Sequence, residues 1–126
     1  MITHDLRVIA DAILDKKGQD VVSLDLRPIG SAIADFFVIC NADSTTNVKA
    51  IADNIYEKMD VEGKKLLRSQ GEENCFWIIQ DYGNIVIHIF LTEYRKFYRL
   101  EDLWADAPKK VYHDKRPASK KTLSEK

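Results

Sequence analysis

Residues 77–90 read WIIQDYGNIVIHIF, and this stretch decides the fold class. Two apolar runs, 75–80 and 85–90, flank Asp81 to Asn84, and the four residues between them have the composition of a tight turn. The pattern predicts two strands joined as a hairpin. In the second strand, His88 shares a face with Val86 and Phe90, and three isoleucines point the other way.

Other elements follow on both sides of this hairpin. Apolar residues at helical spacing predict a helix from Thr3 to Lys17, a second that begins near Asp43 to Thr46 and ends before Gly63, and a third from Thr92 to Trp104. Strands are predicted at 20–27, 35–41 and 66–69, and the run 35–41 is apolar on both faces, as in a strand covered on each side. A helix between the second and third strands allows one parallel pairing. The chain is therefore expected to be α/β (α+β), with a mixed five-stranded sheet flanked by helices.

Length and composition fit a single soluble domain. The chain has 126 residues, of which 45% are hydrophobic and 31% charged. No apolar run reaches the roughly 20 residues that cross a bilayer, and Met1 to Leu6 lacks the basic and apolar regions of a secretory signal. Cys40 and Cys75 lie in apolar runs, without the spacing of a metal site. We expect a cytoplasmic protein with reduced thiols, no membrane partner and no metal.

Charge is distributed unevenly along the chain. Residues 108–126 carry seven basic and two acidic side chains, whereas residues 1–107 carry 12 basic and 18 acidic ones. Apolar periodicity also stops at Pro108. We therefore expect a single globular domain over 1–107 and a basic, disordered tail over 108–126. An acidic body favours a basic protein partner and a basic tail favours a phosphate backbone, although both charges could serve only solubility.

Catalytic motifs are missing from the sequence. It has no phosphate-binding glycine loop, no nucleophile elbow and no zinc-protease helix motif. Gly30-Ser31 followed by Asp35, with Asp25 on the preceding strand, resembles the start of a nucleotidyltransferase site. That chemistry needs carboxylates at alternate strand positions to hold two metal ions, and Phe37 stands at the alternate position here. We expect a relative of that fold without its catalysis.

The strand and helix residues near the C-terminus allow two interpretations. At 100° per residue, Phe97, Leu100, Leu103 and Trp104 fall on one helix side and are expected in the core. Tyr94 and Tyr98 lie one turn apart on another side, either as interface residues or as a wider buried stripe. Trp77, which shares its predicted strand face with Cys75 and Ile79, is similarly either core or interface anchor. His88 is either a buried core histidine or a base that lacks a nucleophile.

Four segments together resemble the Iojap family, whose bacterial members are ribosomal silencing factors. They are the strand DFFVIC at 35–40, the helix segment VKAIAD at 48–53, the hairpin at 77–90 and the helix EYRKFYRLEDLW at 93–104. The resemblance covers about residues 4–108. The chain departs from the family in carrying Asn84 where an acidic residue usually follows the turn glycine, and the tail lies outside the shared region.

The resemblance implies a mixed five-stranded sheet of nucleotidyltransferase-like topology without the catalytic carboxylates. It implies a translation repressor that binds the large ribosomal subunit through its basic protein number fourteen and blocks association with the small subunit when nutrients are scarce. No cofactor is implied, and a homodimer of the free protein and a contact between the tail and ribosomal RNA stay open. The alternatives are a small nucleotidyltransferase-like enzyme using Asp25 and Asp35, or an RNA-binding module that uses the tail.

The resemblance also implies a partner-facing patch. Its members in this sequence are Trp77, Asp81, Tyr82, His88, Tyr94, Arg95, Tyr98 and Glu101.

Overall fold

The computed structural model describes residues 2–30 and 33–114. Its elements, in chain order, are α1 (Ile2–Asp15), β1 (Gln19–Asp25), a 3-10 turn (Arg27–Ile29), β2 (Phe36–Ala42), α2 (Thr45–Val61), β3 (Arg68–Gln70), β4 (Trp77–Asp81), β5 (Ile85–Leu91), α3 (Thr92–Tyr98), α4 (Leu100–Leu103) and β6 (Lys109–Val111). No helix among the described residues is long and apolar enough to cross a membrane.

The strands form one mixed sheet in the order β3-β4-β5-β2-β1-β6. The central pair, β2 and β5, is parallel, with Val38 opposite Ile87, and every other neighbouring pair is antiparallel. The predicted mixed α+β class and the hairpin at 77–90 are therefore confirmed. The expected number of five strands is wrong, because β6 adds a sixth. Two of its three residues are lysines, so the sequence shows no apolar pattern that would predict a strand there. Pairing with β1 alone holds this strand in the sheet.

Order continues past the predicted domain boundary at 107. The Tyr112 backbone N–H donates to the Val21 carbonyl at 2.9 Å, and the buried Tyr112 hydroxyl lies 3.0 Å from that of Ser23. The first residues of the expected disordered tail thus belong to the folded domain. The rest of that tail, 115–126, lies outside the described residues.

The two faces of the sheet are covered differently. Helices α1 and α2 pack on one face, where a large cluster contains Ile13, Val38, Ile55 and Ile87, all fully or almost fully buried. Ser44 begins α2 by accepting a hydrogen bond from the Asn47 backbone N–H. On the other face a smaller cluster lies under α3, α4 and the residues that follow them, and several of its aromatic members are only partly buried. One face is closed and the other is partly open.

The helix predicted over 92–104 is broken, which changes the predicted core. Arg99 takes a left-handed conformation at φ 51°, so α3 ends at Tyr98 and α4 starts at Leu100 with a new phase. Leu100 and Trp104 still pack against the smaller cluster. The expectation that Phe97 and Leu103 are core residues is wrong, since they are 77% and 75% exposed. A constant 100° rotation could not anticipate the break.

Candidate functional site

Five aromatic side chains form a connected group on the partly open face, which we call the aromatic ridge: Phe76, Trp77, Tyr94, Phe97 and Tyr98. Phe76 stacks on Tyr94 at 4.8 Å between ring centroids, and Trp77 lies 5.0 Å from Tyr98. Tyr98 also contacts the ring of Phe97 edge-on at 5.1 Å. Ring contacts in these geometries stabilise the group beyond the area that they bury. The ridge therefore presents an ordered aromatic surface, with Tyr98 47% and Phe97 77% exposed.

The chain before β4 turns sharply to place Phe76 on this ridge. Gly71 has φ +93°, and a Cβ there would collide with the Trp77 carbonyl oxygen, so only glycine fits. Cys75 takes φ 61° and is buried in the cluster beneath the helices. The expectation that Cys75 shares a face with Trp77 is therefore wrong, because Cys75 lies outside the strand, where alternation does not apply. This turn brings Phe76 over Tyr94.

A hydrogen bond joins the ridge to His88 in the sheet. The Trp77 Nε1–H donates to His88 Nδ1 at 3.1 Å. Because the indole nitrogen can only donate, His88 Nδ1 is the acceptor, and the neutral ring carries its proton on Nε2. Burial lowers the pKa of His88 to about 4, which keeps the ring neutral at physiological pH. His88 shares its strand face with Val86 and Phe90, as the strand pattern predicted, and its ring also contacts Phe37 edge-on at 4.6 Å.

A cavity of about 220 Å³ opens beside His88. Its apolar lining comes from strands β2, β4 and β5 and from the segment before β2. Its polar lining includes side chains of β3 and β4. The lining residues are Ile33, Phe37, Arg68, Gln70, Ile79, Asp81, Val86 and His88. Within the described residues, His88 Nε2 is buried and has no hydrogen-bond partner. The cavity thus has an apolar interior and lies beside a buried imidazole donor that has no partner within the described residues.

Arg95 and Glu101, two members of the predicted patch, are engaged with each other. The Arg95 guanidinium donates two hydrogen bonds to the Glu101 carboxylate, at 3.0 and 2.8 Å. It also donates to Asn41 Oδ1 at 2.8 Å and to the Asp20 carbonyl at 2.6 Å. Such a paired guanidinium has few donors left for a partner. The pair spans the break at Arg99 and fixes α4 against α3 and the sheet.

The turn residues Asp81 and Tyr82 point to different sides of the molecule. Asp81 lines the cavity and accepts a hydrogen bond from the Gly83 backbone N–H at 2.8 Å. Tyr82 packs against the cluster beneath α1 and α2, where burial raises the pKa of its hydroxyl to about 12. The structure therefore brings together Trp77, His88, Tyr94 and Tyr98, places Asp81 at the cavity, and sets Tyr82 apart.

The carboxylates considered for metal chemistry are arranged for other contacts. Arg27 donates to both oxygens of Asp25, at 2.9 and 2.8 Å, and lowers the pKa of that carboxyl. Asp35 is exposed at the start of β2. No group of three or more potential ligands is found among residues 2–30 and 33–114.

Phe76, Phe97 and most of the cavity lining were missed by sequence reasoning. Phe97 was assigned to the core by helical phase. Phe76 was not considered, because the neighbouring Trp77 was the candidate aromatic residue of that strand. The cavity draws residues from four strands, and no local spacing encodes that arrangement. The hairpin pattern did place His88 and Ile79 on the correct face.

Comparison with known proteins gives consistent results. The model of the family described as "Ribosomal silencing factor during starvation" matches residues 2–126. A ribosomal silencing factor of Bacillus subtilis is 38% identical over 103 residues, which cover 82% of this chain and 86% of that protein. The chloroplastic Iojap protein of Arabidopsis thaliana is 30% identical over 99 residues, covering 79% of this chain and 41% of that protein.

A solved structure supports the same assignment. The crystal structure of a Chromobacterium violaceum protein superposes with a TM-score of 0.80 at 28% identity, covering 83% of this chain and 87% of that one. The Iojap resemblance carried by the hairpin and the last helices is confirmed by these matches. The chain belongs to the ribosomal silencing factor family.

Proposed function

We propose that this protein represses translation in the cytoplasm by binding the large ribosomal subunit, chiefly its protein number fourteen, and sterically blocking association with the small subunit when nutrients are scarce. Relatives named as ribosomal silencing factors support a ribosome-associated role. Steric exclusion requires a well-ordered docking surface and no covalent step. The protein is accordingly proposed to act without a cofactor and not as an enzyme.

The aromatic ridge is the observation that carries this proposal. Tyrosine, tryptophan and phenylalanine are enriched at the centres of protein interfaces, because they bury large areas at low entropic cost. Phe97 and Tyr98 are exposed although they are large and apolar, and they lie beside one another. A soluble protein that keeps such a group at its surface commonly uses it for binding. We propose Trp77, His88, Tyr94 and Tyr98 as the centre of the contact.

The remaining residues of the predicted patch are given different roles. Asp81 is proposed to act at the edge of the contact, where it lines the cavity beside His88. Arg95 and Glu101 are proposed to position α3 and α4 through their mutual ion pair. Tyr82, on the helix-covered side, is proposed to support the turn beneath the contact.

Charge supports a basic protein as the partner. Residues 1–107 carry 18 acidic and 12 basic side chains, a net charge of −6. Such a body attracts a basic protein and is repelled by ribosomal RNA phosphates. We therefore propose that the docking surface faces a ribosomal protein. Any contact with ribosomal RNA is assigned to the basic residues beyond 114.

Sedimentation of purified ribosomal subunits tests the proposal directly. Increasing amounts of the protein should convert joined ribosomes into free large and small subunits, and the protein should sediment with the large subunit. The Tyr98→Ala variant should need a higher concentration for the same effect. Undiminished joined ribosomes at saturating wild-type protein would contradict the proposal.

The nucleotidyltransferase alternative lacks support at its own residues. Both oxygens of Asp25 are held by Arg27, and Asp35 has Phe36 and Phe37 after it on the strand. Calorimetry with a nucleoside triphosphate and magnesium would separate the two functions, because only the enzyme should release heat. The RNA-binding alternative predicts salt-sensitive RNA affinity that a chain ending at Asp114 loses. Truncation there preserves β6 and Tyr112.

A further inference from the structure

We propose that the cavity beside His88 is a recognition socket, and that it takes an amide group from a loop of the basic ribosomal protein bound by the aromatic ridge. The amide is either a side-chain carboxamide or an exposed peptide group. This inference rests on the proposed function and specifies which chemistry of the partner is recognised beyond aromatic contact.

The first argument is the unused donor of His88. The side chain is only 6% exposed, and Trp77 fixes its tautomer so that the proton lies on Nε2. Within the described residues this N–H has no acceptor, although a buried donor left unpaired is costly. An oxygen acceptor that enters the adjoining cavity relieves that cost. The amide carbonyl supplies such an oxygen.

The second argument is the shape and polarity of the cavity. Phe37, Ile79 and Val86 make its walls apolar, and the volume of about 220 Å³ admits a compact group. Gln70 and Asp81 also line the cavity, and their side-chain oxygens can accept hydrogen bonds from an amide N–H. An amide thus matches both the donor and the acceptors of the cavity.

The third argument concerns charge. Arg68 and Asp81 both line the cavity and are neighbours in the register of β3 and β4. Their opposite charges offset each other, so neither a cation nor an anion gains a net attraction to the site. Burying an ion against the apolar walls would in addition cost desolvation energy. A neutral polar group is therefore favoured.

The fourth argument is continuity with the ridge. The Trp77 indole contacts Tyr98 on one side and donates to His88 on the other. A protein loop seated on the ridge therefore passes beside the cavity. Ribosomal RNA is the other candidate occupant, but the acidic body of residues 1–107 repels its phosphates.

The test measures binding of the full chain to the isolated large-subunit protein number fourteen and, in parallel, to ribosomal RNA freed of protein. Ile79→Phe fills the cavity at a partly buried wall position, and Ile79→Val leaves it open as the matched control. His88→Asn removes the Nε2 donor and keeps an oxygen near the Nδ1 position for Trp77. Thermal unfolding of each variant identifies any that is misfolded.

We expect Ile79→Phe and His88→Asn to weaken binding to the protein about tenfold, in line with loss of a buried hydrogen bond, with Ile79→Val close to wild type. If Tyr98→Ala weakens binding to the protein but Ile79→Phe does not, the proposed socket is refuted, whereas the proposal that the aromatic ridge binds the partner is retained. If Ile79→Phe lowers only RNA affinity, the occupant is RNA and the inference is wrong. If the wild type binds neither partner, the proposed function itself fails.

Discussion

The two faces of the sheet carry different kinds of side chain. Beneath α1 and α2 the sheet contributes aliphatic residues such as Val38, Ile87 and Ile89, which are fully or almost fully buried. Beneath α3 and α4 it contributes Phe37, His88 and Phe90, and the aromatic residues above them are only partly covered. Aliphatic side chains have no polar groups to satisfy and pack densely. The comparison teaches that aliphatic packing closes one face, whereas the other keeps partly exposed aromatic surface, which is where we propose that the partner binds.

The largest expected effect tests the closed face. Ile55→Ala removes a fully buried side chain of α2 and should lower the free energy of unfolding by about 2–5 kcal/mol through the cavity that it leaves. Val61→Ala, at an exposed position of the same helix, should change it by less than about 0.5 kcal/mol. Urea unfolding measures both. Equal losses would show that burial against the sheet does not decide stability here.

The next effect concerns His88 and pH. Its pKa is about 4 in the folded protein and 6.5 ordinarily, so between these values the unfolded chain binds more protons and stability falls as pH falls. The loss due to this residue approaches about 3 kcal/mol from above pH 6.5 to below pH 4.

Comparison with His88→Asn isolates that contribution, because Asn does not titrate. The difference in unfolding free energy between wild type and variant should change across this pH range and stay constant above pH 7. Parallel curves throughout would mean that His88 has the same pKa in the folded and unfolded states, which contradicts the lowered pKa of the folded protein.

A smaller effect separates recognition from stability on the open face. Tyr98→Ala and Phe97→Ala should each weaken binding to large subunits by about 1–3 kcal/mol, as interface hot spots do. Phe97→Ala should leave the melting temperature nearly unchanged, because the side chain is 77% exposed. Co-sedimentation and thermal unfolding measure the two quantities. A large loss of stability in Phe97→Ala would contradict this exposure and indicate that Phe97 is a core residue.

The smallest effect checks that β6 belongs to the domain. Tyr112→Phe removes the hydroxyl that pairs with Ser23 and should cost about 1 kcal/mol of stability. Ser23→Ala should cost a similar amount, and the double variant should cost little more than either single change. Additive losses measured by urea unfolding would contradict a direct bond between the two hydroxyls.

Local pattern determined the elements that have a strong period of their own. The alternation around His88 predicted the hairpin strand and its two faces, and the unbroken apolar run 36–40 predicted the central buried strand. The signal was clear because residues of a strand alternate in side-chain direction whatever they pair with. The resemblance carried by the hairpin and the last helices led to the family, and the matches confirmed it.

Tertiary structure alone decided the features that depend on distant partners. Lys109–Val111 become a strand through pairing with β1, and Arg99 breaks the helix where Arg95 and Glu101 form their ion pair. Phe97 is exposed in the helix that ends at this break, and the cavity beside His88 is assembled from side chains of separate strands. The physical reason is that sequence periodicity reports only the local environment of a residue, whereas a ridge or a socket depends on which elements the fold brings together.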